Sequence, residues 1–226
     1  MEQITKEELL DVIGKFELGD NTEVVSVEPY GSGHINDTFR LEVKEDGQEK
    51  LYILQRMNKD IFKNQKELME NILQVTSFLT DKIKAQGGDP NRETLQVIPT
   101  KEGKSYLIEA NGDGWRVYPF ITDSLSFDKA DTPEAMKKSG YAFGNFQYLL
   151  SDFPAEKLHE TIPDFHNTVD RYAKFEQAVQ EDVMGRAKKV EAEINFIEKE
   201  KKTATTSEIC WQQEKSRCGL PITIPN

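Results

Sequence analysis

The apolar positions of this chain follow two different periods. Between Glu23 and Met57 they favour every second residue, and from Gln65 onward they recur every third or fourth. In the first region Glu23-Val24-Val25-Ser26-Val27 is a β-branched run, and Thr38-Phe39-Arg40-Leu41-Glu42-Val43 alternates with period two. Asp46-Gly47 is a strong hairpin signal that delivers the chain into Leu51–Met57. Strands are therefore expected near 24–28, 38–43 and 51–57. Ahead of them, Thr5 and Glu8 make a capping box, and Leu9, Ile13 and Phe16 share one helical face.

The second period begins with Leu68, Ile72, Val75, Leu79 and Ile83, one apolar stripe that predicts a helix over about 65–83. Gly87-Gly88-Asp89-Pro90 ends it. Strands are then expected near 94–98 and 105–109, around a Lys101–Lys104 turn, with a further one near 115–120 after the Asn111–Gly114 turn. Pro119 forces that last strand out of its ladder. Beyond it the pattern is helix or loop. Thr132-Pro133 reads as an N-cap and first helical residue, with Met136, Gly140, Phe143, Gln147 and Leu150 on one face. Val183, Ala187, Val190, Ile194 and Ile197 give another amphipathic helix, and Ile162–His166 reads as a loop.

These elements specify an α+β fold: a protein-kinase-like, antiparallel β small lobe with one inserted helix, followed by an incomplete helical large lobe. The expected division is a nucleotide-binding lobe at 1–121 and a helical substrate lobe at 122–226.

Composition narrows the class. The chain has 226 residues, a formal charge of −11 and 31% charged residues. That charge argues against a general affinity for nucleic acid or anionic membrane, but not against a nucleotide, which needs only a few local donors. No apolar run approaches the ~20 residues of a membrane span. Residues 1–8 are acidic and lack the apolar core of a signal peptide, so a cytoplasmic location is expected. Cys210 and Cys218 read as free thiols, and the three histidines are too scattered to complete a metal site.

The candidate chemistry lies at Tyr30-Gly31-Ser32-Gly33-His34, between the first two strands. A glycine-bearing hairpin lets backbone N–H groups approach a phosphate, because no Cβ stands in the way. A cation on the following strand, Arg56, would neutralise that phosphate, and Glu70 on the next helix would pair with Arg56 and fix its rotamer. Tyr118 to Phe120 would be a hinge against which an adenine lies. Alternation sets a condition on this scheme. Leu51, Ile53 and Gln55 share one face while Tyr52, Leu54 and Arg56 share the other, so Arg56 can serve only if its own face looks into the cleft.

Several stretches carry a resemblance to a known family. They are Tyr-Gly-Ser-Gly-His-Ile-Asn-Asp-Thr-Phe (30–39), Tyr-Ile-Leu-Gln-Arg-Met-Asn (52–58), Leu-Met-Glu-Asn-Ile (68–72) and Gly-Gly-Asp-Pro-Asn-Arg-Glu-Thr-Leu (87–95). Trp-Arg-Val-Tyr-Pro-Phe-Ile (115–121), Phe-Gly-Asn-Phe-Gln (143–147) and the long run from Asp152 to Thr168 complete the set. From about residue 20 to about residue 223 the chain resembles the N-acetylhexosamine 1-kinases, often labelled mucin desulfatases, of the aminoglycoside phosphotransferase and choline kinase superfamily.

The resemblance implies an ATP- and magnesium-dependent kinase acting on the anomeric hydroxyl of an N-acetylated hexosamine. It transfers phosphate-loop and cation roles to Ser32, Gly33, His34 and Arg56, the helix-carboxylate role to Glu70, and hinge roles to Tyr118 and Phe120. A histidine can act as acid or base near neutral pH, but nothing in the sequence orients His166. It reads as a structural loop histidine or part of a sugar-pocket wall, as do Asp164 and His159.

In the family a segment like Leu220-Pro221-Ile222-Thr223 runs into a His-Asn-Asp-Thr-Lys catalytic loop, whereas here Ile224-Pro225-Asn226 follows. No catalytic base and no magnesium ligand are therefore assigned. The expected alternative to an enzyme is an inactive kinase-like fragment that at most binds nucleotide. Exposed apolar helix faces would give such a fragment a tendency to self-associate.

Overall fold

A computed structural model describes residues 4–124, 129–165, 167–202 and 206. They form an α+β structure around a five-stranded, wholly antiparallel sheet of order β1-β2-β3-β5-β4. The chain divides into two units, residues 1–161 and residues 162–226.

In the first unit α1 (Lys6–Ile13) starts at the expected capping box, with Thr5 and Glu8 bonded reciprocally. Next come β1 (Thr22–Pro29), β2 (Asp37–Glu45) and β3 (Gln48–Met57). Asp46 and Gly47 both take positive φ, 49° and 82°, at the β2–β3 turn. Asn-Gly and Asp-Gly turns match strand twist in this geometry, which is why the register Glu45↔Gln48 starts without slippage.

One face of the sheet is dry. Phe39, Leu41, Val43, Tyr52, Leu54, Trp115 and Val117 project onto it and pack against Leu9, Val12 and Ile13 of α1, with Phe16 and Leu18 below. Leu41, Val43, Leu54 and Val117 have no solvent exposure. The opposite face is partly covered by α2 (Gln65–Ala85). The buried positions of α2 are Gln65, Met69, Leu79 and Ile83. In the second half this is the expected stripe, but in the first half Met69 replaces Leu68, because the helix meets β5 there and not another helix.

The region after α2 departs from expectation. Pro90–Glu93 is a short helix, α3, with Asp89 as its N-cap, and 94–98 is not a strand. Ile98 makes a single bridge to Val117, while β4 is only Leu107–Ile108 and pairs with Trp115 and Gly114 of β5 (Gly114–Pro119). Two segments share one edge of a six-residue strand, so neither runs long.

Helix α4 (Pro133–Leu149) is N-capped by Thr132 as expected. Its anchoring is not: Leu149, with Phe146 and Leu150, packs on Leu79 and Ile83 of α2. Met136 and Phe143, read as part of the apolar stripe, are 61% and 60% exposed. Lys82 of α2 donates to the Leu149 carbonyl at 2.8 Å and pairs with Asp152, so a side chain of one helix finishes the last turn of the other. Phe78 and Phe153 meet edge to face, 5.2 Å between centroids. These contacts carry α4 into the first unit and place the division at Thr161, where a boundary after Ile121 was expected.

The second unit contains α5 (Thr168–Glu181), capped by Asn167, and α6 (Glu191–Lys199). The helix expected from Val183 begins later, because Asp182 takes a left-handed conformation and Val183 is 81% exposed.

Candidate functional site

The glycine junction lies at the open end of the β1–β2 hairpin. Tyr30 N–H donates to the Thr38 carbonyl at 2.8 Å and closes the loop, and Gly31 takes a φ of 81°. Ser32, Gly33 and His34 are exposed, and a Cβ built on Gly31 or Gly33 would meet nothing within 4 Å. The base of the loop is fixed from β3. Asn58 N–H donates to Asn36 Oδ1 and Asn58 Nδ2 donates to the Ile35 carbonyl, both at 2.9 Å. The junction is thus tethered at its return and open at its tip.

Phe120, just past β5, meets Tyr30 edge to face at 5.5 Å. The Arg40 guanidinium lies 6.0 Å from the same Phe120 ring. The structure therefore brings together two of the expected elements, the glycine junction and the exit of β5. A depression of about 500 Å³ opens beside that exit, lined by Arg40, Glu42, Leu51, Pro119 and Thr122 among others. Tyr118 is buried on the α2 side of the sheet, beneath the Arg116 guanidinium at 5.3 Å. Burial pushes its hydroxyl up to about 12, against the opposing pull of Arg116.

The expected Arg56–Glu70 pair is not formed, and alternation is the reason. Arg56 belongs to the face of Leu54 and Tyr52, covered by α1, and stands over the Trp115 ring at 5.9 Å. Its Nη2 and Nε donate to Asp37 Oδ2 at 2.6 and 2.8 Å, and its Nη1 donates to Asp113 Oδ2 at 3.2 Å. Lys59 holds the other oxygen of Asp113 at 2.7 Å. Burial raises the Asp113 carboxyl, but its bonds and charge contacts with Lys59 and Arg56 outweigh that and hold it below its ordinary value.

Glu70 is elsewhere, on α2. It contacts Lys66 at 3.6 Å and His159 Nε2 at 3.0 Å, and borders a groove of about 840 Å³ with Met69, Leu73, Lys101 and Tyr106. Asn71 clamps the backbone of His159 from both sides, accepting from its N–H at 2.9 Å and donating to its carbonyl at 2.8 Å. His159 is thus a docking point for its loop on α2.

The residues that do face α2 at the centre of the sheet were not singled out from the sequence. Thr38, Gln55 and Arg116 are directly opposite one another on β2, β3 and β5. Gln55 Nε2 donates to Thr38 Oγ1 at 2.9 Å, and Gln55 Oε1 accepts from Arg116 Nη2 and Nε at 2.6 and 2.9 Å. Arg116 Nη1 reaches only the Met69 sulfur, at 3.8 Å. Among the described residues no carboxylate pairs with Arg116, and burial draws its pKa down from the ordinary value. A signal was present, since Arg116 and Tyr118 are two residues apart on one strand and share its face, but it pointed to a face and not to a role.

Asp164 lies in the second unit with φ 58°, its Oδ1 accepting from Asn167 Nδ2 at 3.0 Å. His166, Cys210, Cys218 and the Leu220–Thr223 segment fall outside the described residues. Among the described residues no group of three His, Cys, Asp or Glu side chains is placed to hold a metal ion, and no helix is long and apolar enough to cross a membrane. No family model matches the chain.

Proposed function

We propose that this chain carries the nucleotide-binding lobe of an ATP-dependent sugar kinase with a protein-kinase-like architecture, acting on the anomeric hydroxyl of N-acetylhexosamines. The observation that carries the reading is the contact of Tyr30 with Phe120, 5.5 Å between ring centroids. In kinase-type phosphotransferases the nucleotide lid and the hinge must lie close enough for one nucleotide to touch both. Tyr30 leads directly into the open Gly31–Gly33 turn and Phe120 directly follows β5, so their contact supports the reading.

The residues on this face suit such a ligand. Phe120 and Tyr30 offer aromatic surface to a planar base, and Arg40 and Arg116 offer guanidinium groups to an anion. ATP would supply the phosphoryl group, with magnesium as its counter-ion, by the family resemblance. The part of this chain's own residues is to bind and orient.

The test is calorimetric titration of the chain with ATP and with adenosine, paired with ADP release in the presence of magnesium and N-acetylglucosamine or N-acetylgalactosamine. Saturable ATP binding supports the reading, and its absence at millimolar ATP overturns it. Binding without sugar-dependent ADP release would identify a kinase-like fragment limited to nucleotide binding.

A further inference from the structure

Resting on the nucleotide reading above, we propose that the cation receiving the oligophosphate is Arg116, presented by Gln55 and assisted by the Thr38 hydroxyl on the α2 side of the sheet.

The argument begins with charge compensation. A half-buried guanidinium is costly unless an anion meets it, and structural arginines in such positions are normally paired with carboxylates. Arg56, one strand away, has two. Arg116 has a neutral amide oxygen and a thioether, and no described carboxylate pairs with it. A guanidinium has five N–H donors. Gln55 takes one from Nε and one from Nη2, and Met69 takes one from Nη1, so two remain.

The amide orients the group without neutralising it. Gln55 spends its carbonyl on Arg116 and its amino group on Thr38, which fixes both the amide orientation and the guanidinium plane. The other side of the guanidinium rests on the Tyr118 ring. Thr38 Oγ1 accepts from Gln55, which leaves its own O–H to donate. Thr38 is also where the glycine junction closes, through Tyr30 N–H to the Thr38 carbonyl. The row Thr38–Gln55–Arg116 therefore runs inward from the base of that junction across three neighbouring strands, roughly 10 Å at ordinary strand spacing. That length suits a chain of phosphates laid across the strands.

The experiment measures binding of sodium tripolyphosphate, ATP and adenosine to the full chain, for wild type and three variants. Gln55→Glu places a carboxylate where Arg116 now meets an amide and neutralises the guanidinium in place. Arg116→Met removes the charge, and Thr38→Val removes the hydroxyl at constant shape. We expect Gln55→Glu and Arg116→Met each to weaken tripolyphosphate and ATP by roughly tenfold or more, Thr38→Val by about threefold, and none to change adenosine.

Gln55→Glu is decisive should Arg116→Met fail to fold, because the new ion pair favours the folded state. A merely structural Arg116 would leave oligophosphate affinity unchanged in Gln55→Glu, and that result would overturn the proposal. Adenosine binding without tripolyphosphate binding would overturn it too, while leaving the nucleotide reading in place. Arg116-dependent tripolyphosphate binding with no gain from the adenosine moiety would do the reverse.

Discussion

Arg56 and Arg116 stand on adjacent strands of one sheet and project to opposite faces. On the α1 side Arg56 sits between Asp37 and Asp113, at the rim of a core whose central residues are fully buried. On the α2 side Arg116 rests on an amide, a thioether and a phenol ring. The first arrangement closes its electrostatics within the protein. The second leaves charge to be met from outside. The difference separates a cation that serves the fold from one available to a ligand, although both are strand arginines in the sequence.

The comparison can be broken most forcefully at the core. Leu54→Ala, on the α1 face, should cost about 3–4 kcal/mol in urea unfolding, because a fully buried leucine leaves a cavity that β-sheet backbone cannot close. Its half-buried neighbour Ile53, on the other face, should cost about 1 kcal/mol when changed to Ala. Equal losses would show that the two faces do not differ in packing.

The arginines come next. Arg56→Met strands Asp37, leaves Asp113 to Lys59 alone, and should cost about 2–3 kcal/mol, somewhat below the range for fully buried pairs. Arg116→Met strands no carboxylate and should change stability by less than about 1 kcal/mol by the same measurement. A reversal of that order would assign the structural role to Arg116.

A smaller effect probes the seam where α2 meets β5. A Cβ on Gly114 would overlap the Gln65 amide oxygen at 1.6 Å and Met57 Cε at 2.8 Å. Both obstacles are side-chain ends, so Gly114→Ala should cost about 1–2 kcal/mol through repacking and not abolish folding.

The smallest effect is a pH dependence. The folded-state pKa of Asp113 lies below its ordinary value of 3.8. Its contribution is therefore fully present above that value and is lost as pH falls through the lowered pKa. Between pH 5 and pH 3, Asp113→Asn should flatten the acid fall in stability of the chain. An unchanged slope would remove Asp113 from the acid-sensitive groups.

Much of this fold was legible. Alternation over 38–43 and 51–57 set both strands and their turn, and the capping box set α1, because these are decided by neighbours in sequence. The α2 side was less legible. Period two shows that Gln55 and Arg56 oppose one another, but which of them faces the inserted helix depends on how the chain crosses after Met57. That is a tertiary choice. The same limit applies to 94–98, where extended residues compete with β4 for one edge, and to α4, whose anchor is Leu149 and not the Met136–Phe143 face.

Lys82 completes the final turn of α4 from 67 positions earlier in the chain. A protease or a cloning boundary placed after Ile121 would therefore cut through a shared structural joint. It would strip the cover from Leu79 and Ile83 and leave Lys82 without its carbonyl partner. The shortest stretch that keeps the sheet, α2 and its apolar seam together extends to Thr161, past the loop that Asn71 grips at His159.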